Sequence, residues 1–197
     1  MKIGILALQG AFIEHIQTLR RLGVEAVEVR TAAELTGLDG LIIPGGESTA
    51  ILKLARHYQM ITPLQEMANA GIPIMGTCAG MVLLANKVSE SDLQTLCLMD
   101  IEVRRNASGR QVDSFETDLD IPDIGDELFH AVFIRAPYIE HLGAGVEALA
   151  RLDDGTVVAA RKGNLLALAF HPELGSDTRL HKYFLKMVRE FRKESAQ

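Results

Sequence analysis

Tryptophan is absent from the 197 residues, aromatic side chains make up only 5%, and cysteine occurs twice. Two cysteines, Cys78 and Cys97, are too few for a disulfide framework. A chain of this length buries roughly 70% of the surface that its unfolded form exposes, so its core needs no disulfide or metal staple. Positive charge is also short: Lys and Arg number 20 against 26 Asp and Glu, a formal net charge of −6. That balance argues against a dedicated nucleic-acid binder, which carries a basic patch or stripe. No apolar run approaches the roughly 18 residues of a spanning helix. The apolar run at residues 3–8 is shorter than a signal-peptide core and has no basic segment before it beyond Lys2. Metal-ligand spacings are missing too, with no C-x-x-C and no H-E-x-x-H, and no glycine-rich phosphate loop follows the first apolar run. What remains is 48% hydrophobic and 23% charged residues, the balance of a soluble globule. The expectation is one soluble, cytoplasmic domain over residues 1–197, without nucleic-acid or membrane partners and without a metal.

The first 90 residues alternate short apolar runs with helical patterns. Residues 3–8, 24–29, 41–43 and 73–76 read as strands; residues 11–22, 48–58, 62–70 and 79–87 read as helices. Ser48 is the expected N-cap of the second helix and Thr62, followed by Pro63, that of the third. Near-continuous apolar strands alternating with helices predict an α/β fold with a parallel sheet covered on both faces. After residue 95 the pattern changes. Residues 100–104, 112–119 and 129–134 read as extended, and Asp154-Gly155 reads as a hairpin turn, so antiparallel strands are expected in the second half. A closing helix over residues 177–193 turns Leu180, Phe184, Met187, Val188 and Phe191 inward.

Gly76-Thr77-Cys78-Ala79-Gly80 joins an apolar strand to a helix and has the form of a thiol nucleophile elbow. Small neighbours let the backbone turn tightly, the helix N-terminus favours a thiolate, and the Ala79 N–H is placed to stabilise a developing oxyanion. The same pentapeptide also suits a buried structural cysteine beside a glycine turn. Cys97 lies in the apolar run at residues 96–99 and reads as a small buried hydrophobe without a role. A thiol nucleophile needs a base and a group to orient it. In His171-Pro172-Glu173 the extended backbone points residues i and i+2 the same way, so Glu173 can stand behind His171. A polar loop after a core strand is the bland alternative. His15, His57, His130, His141 and His181 read as surface or packing residues. Residues 44–49, Pro-Gly-Gly-Glu-Ser-Thr, could aim backbone N–H groups inward and supply a second oxyanion donor. Arginines near residues 104–110 and at Arg135 could hold a carboxylate, although Arg104 and Arg110 read as solvated charges.

Together, the elbow cysteine, the Pro-Gly-Gly loop and the His-x-Glu resemble class I, triad-type glutamine amidotransferases. The closer resemblance is to the glutaminase subunits of pyridoxal 5′-phosphate synthases. It is carried by residues 6–10, 44–49, 76–80, 105–116, 133–137 and 170–174, the arginine-containing segment 105–116 being the most discriminating. The resemblance implies a three-layer, flavodoxin-like α/β fold and hydrolysis of L-glutamine to glutamate and ammonia. It implies Cys78 as nucleophile, His171 as acid and base and Glu173 as its orienter. Glutamine would be bound by Gly46, Glu47, Ser48, Arg105, Ile134 and Arg135, and the oxyanion hole is assigned to the Gly46 and Ala79 N–H groups. The chain is too short to hold a synthase domain as well. The implied partner is a barrel-fold synthase subunit docked over the Cys78 mouth near residues 9–10, 45–46 and 135–137, with pyridoxal phosphate a product and no cofactor in this chain. A stand-alone γ-glutamyl hydrolase of the same fold and a catalytically silent interaction module remain as alternatives.

Overall fold

The computed structural model describes residues 1–89, 91–105 and 114–195. In chain order these residues form β1 (Lys2–Leu6), α1 (Phe12–Arg21), β2 (Glu25–Val29), β3 (Gly40–Ile43), α2 (Ser48–His57), α3 (Ile61–Asn69), β4 (Ile74–Thr77), α4 (Ala79–Leu84) and β5 (Ala85–Val88). There follow β6 (Met99–Arg104), β7 (Ser114–Leu119), β8 (Phe129–Ile134), β9 (Tyr138–Leu142), β10 (Glu147–Arg151), β11 (Val157–Lys162), β12 (Leu165–Leu168) and α5 (Arg179–Glu194).

The main sheet runs β2-β1-β3-β4-β12-β11-β9-β6-β5, with β10 paired to β11. From β2 to β12 every pairing is parallel. Beyond β12 the strands pair antiparallel until β6 and β5, which are parallel again. β7 and β8 form a separate antiparallel ribbon. This is the mixed α/β sheet, parallel first and antiparallel later, that the hydrophobic runs predict. Every residue of β3 and β4 is buried, which requires cover on both faces of the sheet. α4 packs on β3, β4 and β12, and α1 on β1 and β2. On α5, Phe184 and Val188 close over Gly40 of β3, where any side chain would collide with them. Burying one such phenylalanine contributes roughly 1.5–3 kcal/mol.

Four local expectations are corrected. The helix after the elbow stops at Leu84, not at residue 87, because residues 85–88 pair with β6 as an edge strand and tertiary pairing overrides helical periodicity. Thr62 is not an N-cap. α3 starts at Ile61 after Met60, and Pro63 is tolerated because its missing N–H is one of the first-turn donors without a helical partner. Ser48 is the first residue of α2, while Glu47 is the N-cap and accepts from the N–H groups of Thr49 and Ala50 at 3.1 and 2.6 Å. Cys97 is exposed rather than in the core; a φ of +52° turns it outward between buried Leu96 and half-buried Leu98. β9 is a strand that the hydrophobic pattern does not announce. The Asp154-Gly155 turn joins β10 to β11 as expected.

Candidate active site

Three neighbouring parallel strands, β3, β4 and β12, end at one edge of the sheet. Ile43 is in register with Gly76, and Thr77 with Leu168. The Pro-Gly-Gly loop therefore lies on one side of Cys78 and the segment carrying His171 on the other. Ligand crevices of open α/β sheets form at this carboxyl edge.

Cys78 sits on a strained turn, with φ +48° and ψ −105°. Such a conformation costs a non-glycine residue about 1–3 kcal/mol and persists only where its surroundings enforce it. They do so here. The Cys78 N–H donates to Leu168 O at 2.8 Å. A Cβ on Gly80 would overlap the carbonyl of Ile43, and one on Gly76 would stand 2.6 Å from the Gly80 backbone. Both glycines of the G-x-C-x-G motif are thus demanded by backbone approach. The Cys78 side chain is buried, and its Sγ lies 3.9 Å from Ile134 O.

His171 follows β12, and its N–H donates to Val132 O at 2.9 Å. The ring is buried, faces Cys78, and has Nδ1 2.7 Å from Glu173 Oε1. The i and i+2 spacing accordingly brings base and carboxylate together. Burial alone would lower the pKa of His171. The hydrogen bonds with Cys78 and Glu173 outweigh it and push His171 up to about 10. Burial likewise disfavours an ionised Glu173, but the neighbouring His15 and the hydrogen bond with His171 hold it below the usual carboxylate range.

A cavity of about 570 Å³ opens above this group. Gly46, Glu47, Ser48, Arg105, Ile134 and Arg135, the expected substrate positions, all line it together with Cys78, Ala79 and His171. Glu173 stands behind His171. Arg105 approaches Ser48 Oγ at 3.4 Å and Thr49 Oγ1 at 3.2 Å. Arg135 has φ +42°, a second strained non-glycine residue at the same mouth. The part of the arginine-containing segment at residues 106–113, Arg110 included, lies outside the described residues. Arg104 points elsewhere, with Nε 2.6 Å from Glu140.

Gln9, Ser114 and Pro137 also line the cavity, although the sequence motifs do not single them out as substrate positions. Gln9 Oε1 accepts from the Glu47 N–H at 2.7 Å, and Ala11 N–H donates to Gly45 O at 3.0 Å. The available signal was position: Gln9 leaves β1, which sits beside β3 at the same edge. Two histidines are also more than the packing or surface residues expected of them. His15 of α1 and His181 of α5 are wholly buried, stacked behind Glu173, with His15 Nε2 3.3 Å from Glu173 Oε2. Burial lowers His15; burial and then His15 itself lower His181 to about 3. His130, by contrast, is an exposed residue between Glu116 and Asp118.

These shifts set a pH dependence of stability. The folded chain holds more protons than the unfolded one between 6.5, the ordinary value of His171, and its folded value of about 10, so stability falls as pH rises through that window. On the acid side His15 and His181 must stay neutral to fold. Stability is therefore lost as pH drops from 6.5 toward the His181 value of about 3, and Glu173, lowered from 4.5, adds to that loss. Urea unfolding midpoints are expected to peak close to neutral pH. A midpoint climbing steadily through the alkaline range would contradict the protonated His171.

The profile of the SNO glutamine amidotransferase family matches residues 5–190. The chain is 59% identical over 188 residues to "Pyridoxal 5′-phosphate synthase subunit PdxT" of Moorella thermoacetica, covering 95% of this chain and 100% of that protein. It is 57% identical over 194 residues to the protein of the same name in Dehalococcoides mccartyi, covering 98% and 100%. A crystal structure described as a glutamine amidotransferase superposes with TM-score 0.90 at 48% identity, over 95% of this chain and 99% of that one. A chain of PurLQS from Thermotoga maritima, at 16% identity and TM-score 0.70 over 94% of this chain and 97% of that one, shares the fold. On this match across nearly its whole length, the chain belongs to the SNO glutamine amidotransferase family.

Proposed function

We propose that this chain is a single glutaminase domain, the glutamine-hydrolysing subunit of a pyridoxal 5′-phosphate synthase, working through Cys78, His171 and Glu173. The observation that carries the reading is a strained, buried thiol facing an imidazole whose other nitrogen is 2.7 Å from a buried carboxylate, at the floor of a cavity of about 570 Å³, which has room for glutamine.

Glutamine would enter with its α-carboxylate toward the guanidinium groups of Arg105 and Arg135 and its amine toward Glu47, contacting Gly46, Ser48 and Ile134. Cys78 Sγ attacks the side-chain amide carbon. The negative charge moves onto the amide oxygen, which the Gly46 and Ala79 N–H groups receive; Ala79 is the first residue of α4, where an N–H has no helical acceptor. The C–N bond breaks, the His171 imidazolium gives its proton to the leaving nitrogen, and ammonia departs from a γ-glutamyl thioester. Neutral His171 next takes a proton from water. The resulting hydroxide attacks the thioester carbon, the C–S bond breaks with Sγ departing as thiolate beside the re-formed imidazolium, and the new γ-carboxylic acid gives its proton to water as glutamate leaves. A His171 pushed up to about 10 suits the first half, since the leaving group needs a donated proton. Glu173 holds Nδ1–H, so that Nε2 is the working nitrogen.

Ammonia released into water is lost to protonation and diffusion, so the reaction is useful beside an acceptor site. The proposed acceptor is a barrel-fold synthase subunit seated over the rim formed by residues 9–10, 45–46 and 135–137, in the cytoplasm. The test is glutamate release from glutamine with and without the purified synthase subunit. Activity that needs the subunit supports the reading. Hydrolysis of γ-glutamyl peptides without it would point to a stand-alone hydrolase, and no turnover in either mixture would point to a silent module.

A further inference from the structure

Glu173 uses only half of its carboxylate on His171. Oε1 takes the ring at 2.7 Å, whereas Oε2 is fully buried and has no hydrogen-bond partner among the described residues. A buried carboxylate oxygen left that way is costly and calls for a donor. The group facing it is His15 Nε2, 3.3 Å away, which is also 3.3 Å from the hydroxyl of Thr77, the residue before the nucleophile. Behind it, His15 Nδ1 stands 3.0 Å from His181 Nε2. We propose that His15 is a positioning residue for the triad carboxylate: its Nε2–H serves Glu173 Oε2, and His181 Nε2–H locks His15 in the tautomer that allows this. The proposal rests on the reading of Cys78, His171 and Glu173 as a triad.

The proton assignment follows from the two ends of the chain of contacts. Two neutral imidazole nitrogens 3.0 Å apart can share only one hydrogen. If His15 Nδ1 carried it, the bare Nε2 of His15 could accept from the Thr77 hydroxyl but would still turn a lone pair toward Glu173 Oε2, leaving that oxygen without a donor in a dry interior. His181 would then carry its own hydrogen on Nδ1, which is buried and has no partner among the described residues. An orphaned buried N–H is the rarer and more costly defect. If His181 donates instead, both problems vanish. His15 Nε2–H meets Glu173, and the unpartnered His181 Nδ1 is only a lone pair. Burial keeps both rings neutral against the carboxylates that face them, Glu173 and Glu14 around His15 and Glu173 around His181, and the positive His171 beside His15 and Arg21 beside His181 act in the same direction as burial.

The consequence is directional. Two donors then point at Glu173, His171 from one side and His15 from the other, while His181 donates to His15. The carboxylate is then fixed in rotation, with Oε1 aimed at Nδ1 while His171 moves protons at Nε2. Four separate chain segments contribute: α1, the end of β4, the residues after β12, and α5.

The decisive measurement on the parent protein is ¹⁵N-histidine NMR of the full chain. His15 and His181 are expected as neutral Nε2–H tautomers between about pH 6 and 8. An Nδ1–H or doubly protonated His15 would overturn the proposal even if no variant folds. Kinetics with the synthase subunit present supply the second arm. His15→Leu is expected to lower kcat about tenfold or more with KM within about twofold, and to move the acid limb of kcat/KM upward, because a carboxylate that loses a donor protonates more easily. His15→Gln places an amide N–H where Nε2 was and should restore kcat to within about threefold and return the limb. A His15→Leu variant with parental kcat and pH profile, or a Gln variant as impaired as the Leu variant, would refute it. Cys78→Ala is the separate control: if it stays active the triad reading fails, whereas if it is dead while His15→Leu is normal only the positioning role fails.

Discussion

Cys78→Ala, assayed with the synthase subunit, is expected to lose glutamine hydrolysis by about 10⁴-fold or more, and His171→Asn by a comparable factor. The reason is that neither residue does half of the work alone. A thioester requires the sulfur, and its formation requires a proton on the departing nitrogen. His171 is the group holding that proton, because burial is outweighed by Cys78 and Glu173 and its pKa rises to about 10. Removing the sulfur leaves an acid with nothing to assist. Removing the imidazole leaves a thiol without its counter-charge and an amine leaving group without a proton. The two losses should therefore not add: the double variant is expected to be no worse than the poorer single one. Glutamate release measures all three. Glutamine binding, followed by calorimetry on the complex, should survive Cys78→Ala, since the proposed carboxylate and amine contacts are Arg105, Arg135 and Glu47. Multiplicative losses in the double variant would mean that the two side chains act in separate steps and not as one unit.

The parts of this site that could be read from the sequence are those that local geometry decides. The elbow is a strand, a tight turn and a helix within a dozen residues, and its glycines are dictated by backbone approaching backbone. His171 and Glu173 are two residues apart on extended chain. The parallel half of the sheet is legible for the same reason, since strands buried on both faces are apolar at every position. What was not legible is what long-range pairing decides. Residues 85–88 continue a helical pattern and become β5 only because β6 arrives some ten residues later. Cys97 has apolar neighbours, yet one positive φ turns it to the surface. His15 lies on the inward face of α1, three residues after Phe12 and four before Leu19, so its burial follows from the helical spacing, but nothing within α1 says that Glu173 and His181 will close over it. Long-range contact among α1, the segment after β12 and α5 supplies the partners of this buried histidine.

The same logic sets the expected outcome for the glycine loop. Gly45 has no positive φ that demands glycine, so alanine fits its backbone. Its Cβ would nevertheless overlap His171 Cε1, lie 3.0 Å from Nδ1 and 3.3 Å from Cys78 Cβ. Cys78 is pinned by its elbow and Glu173 is packed behind the ring, so the imidazole is what yields. A displacement on the order of 1 Å in a reacting group costs about 100-fold in rate, and Gly45→Ala is expected to lower kcat by that factor and, because a buried ring must move off its partners, to lower the unfolding midpoint as well. Gly23 provides the opposite case. It follows α1 with φ +73°, and a Cβ there would meet nothing within 4 Å. Gly23→Ala is expected to destabilise the fold by about 1 kcal/mol through its left-handed backbone and to leave kcat unchanged. Steady-state kinetics and urea unfolding tell the two variants apart: both lose stability, and only Gly45→Ala loses rate. If Gly45→Ala lost stability and kept its rate, the imidazole would not be held against the glycine loop, and the close approach of β3 to the triad would be packing alone.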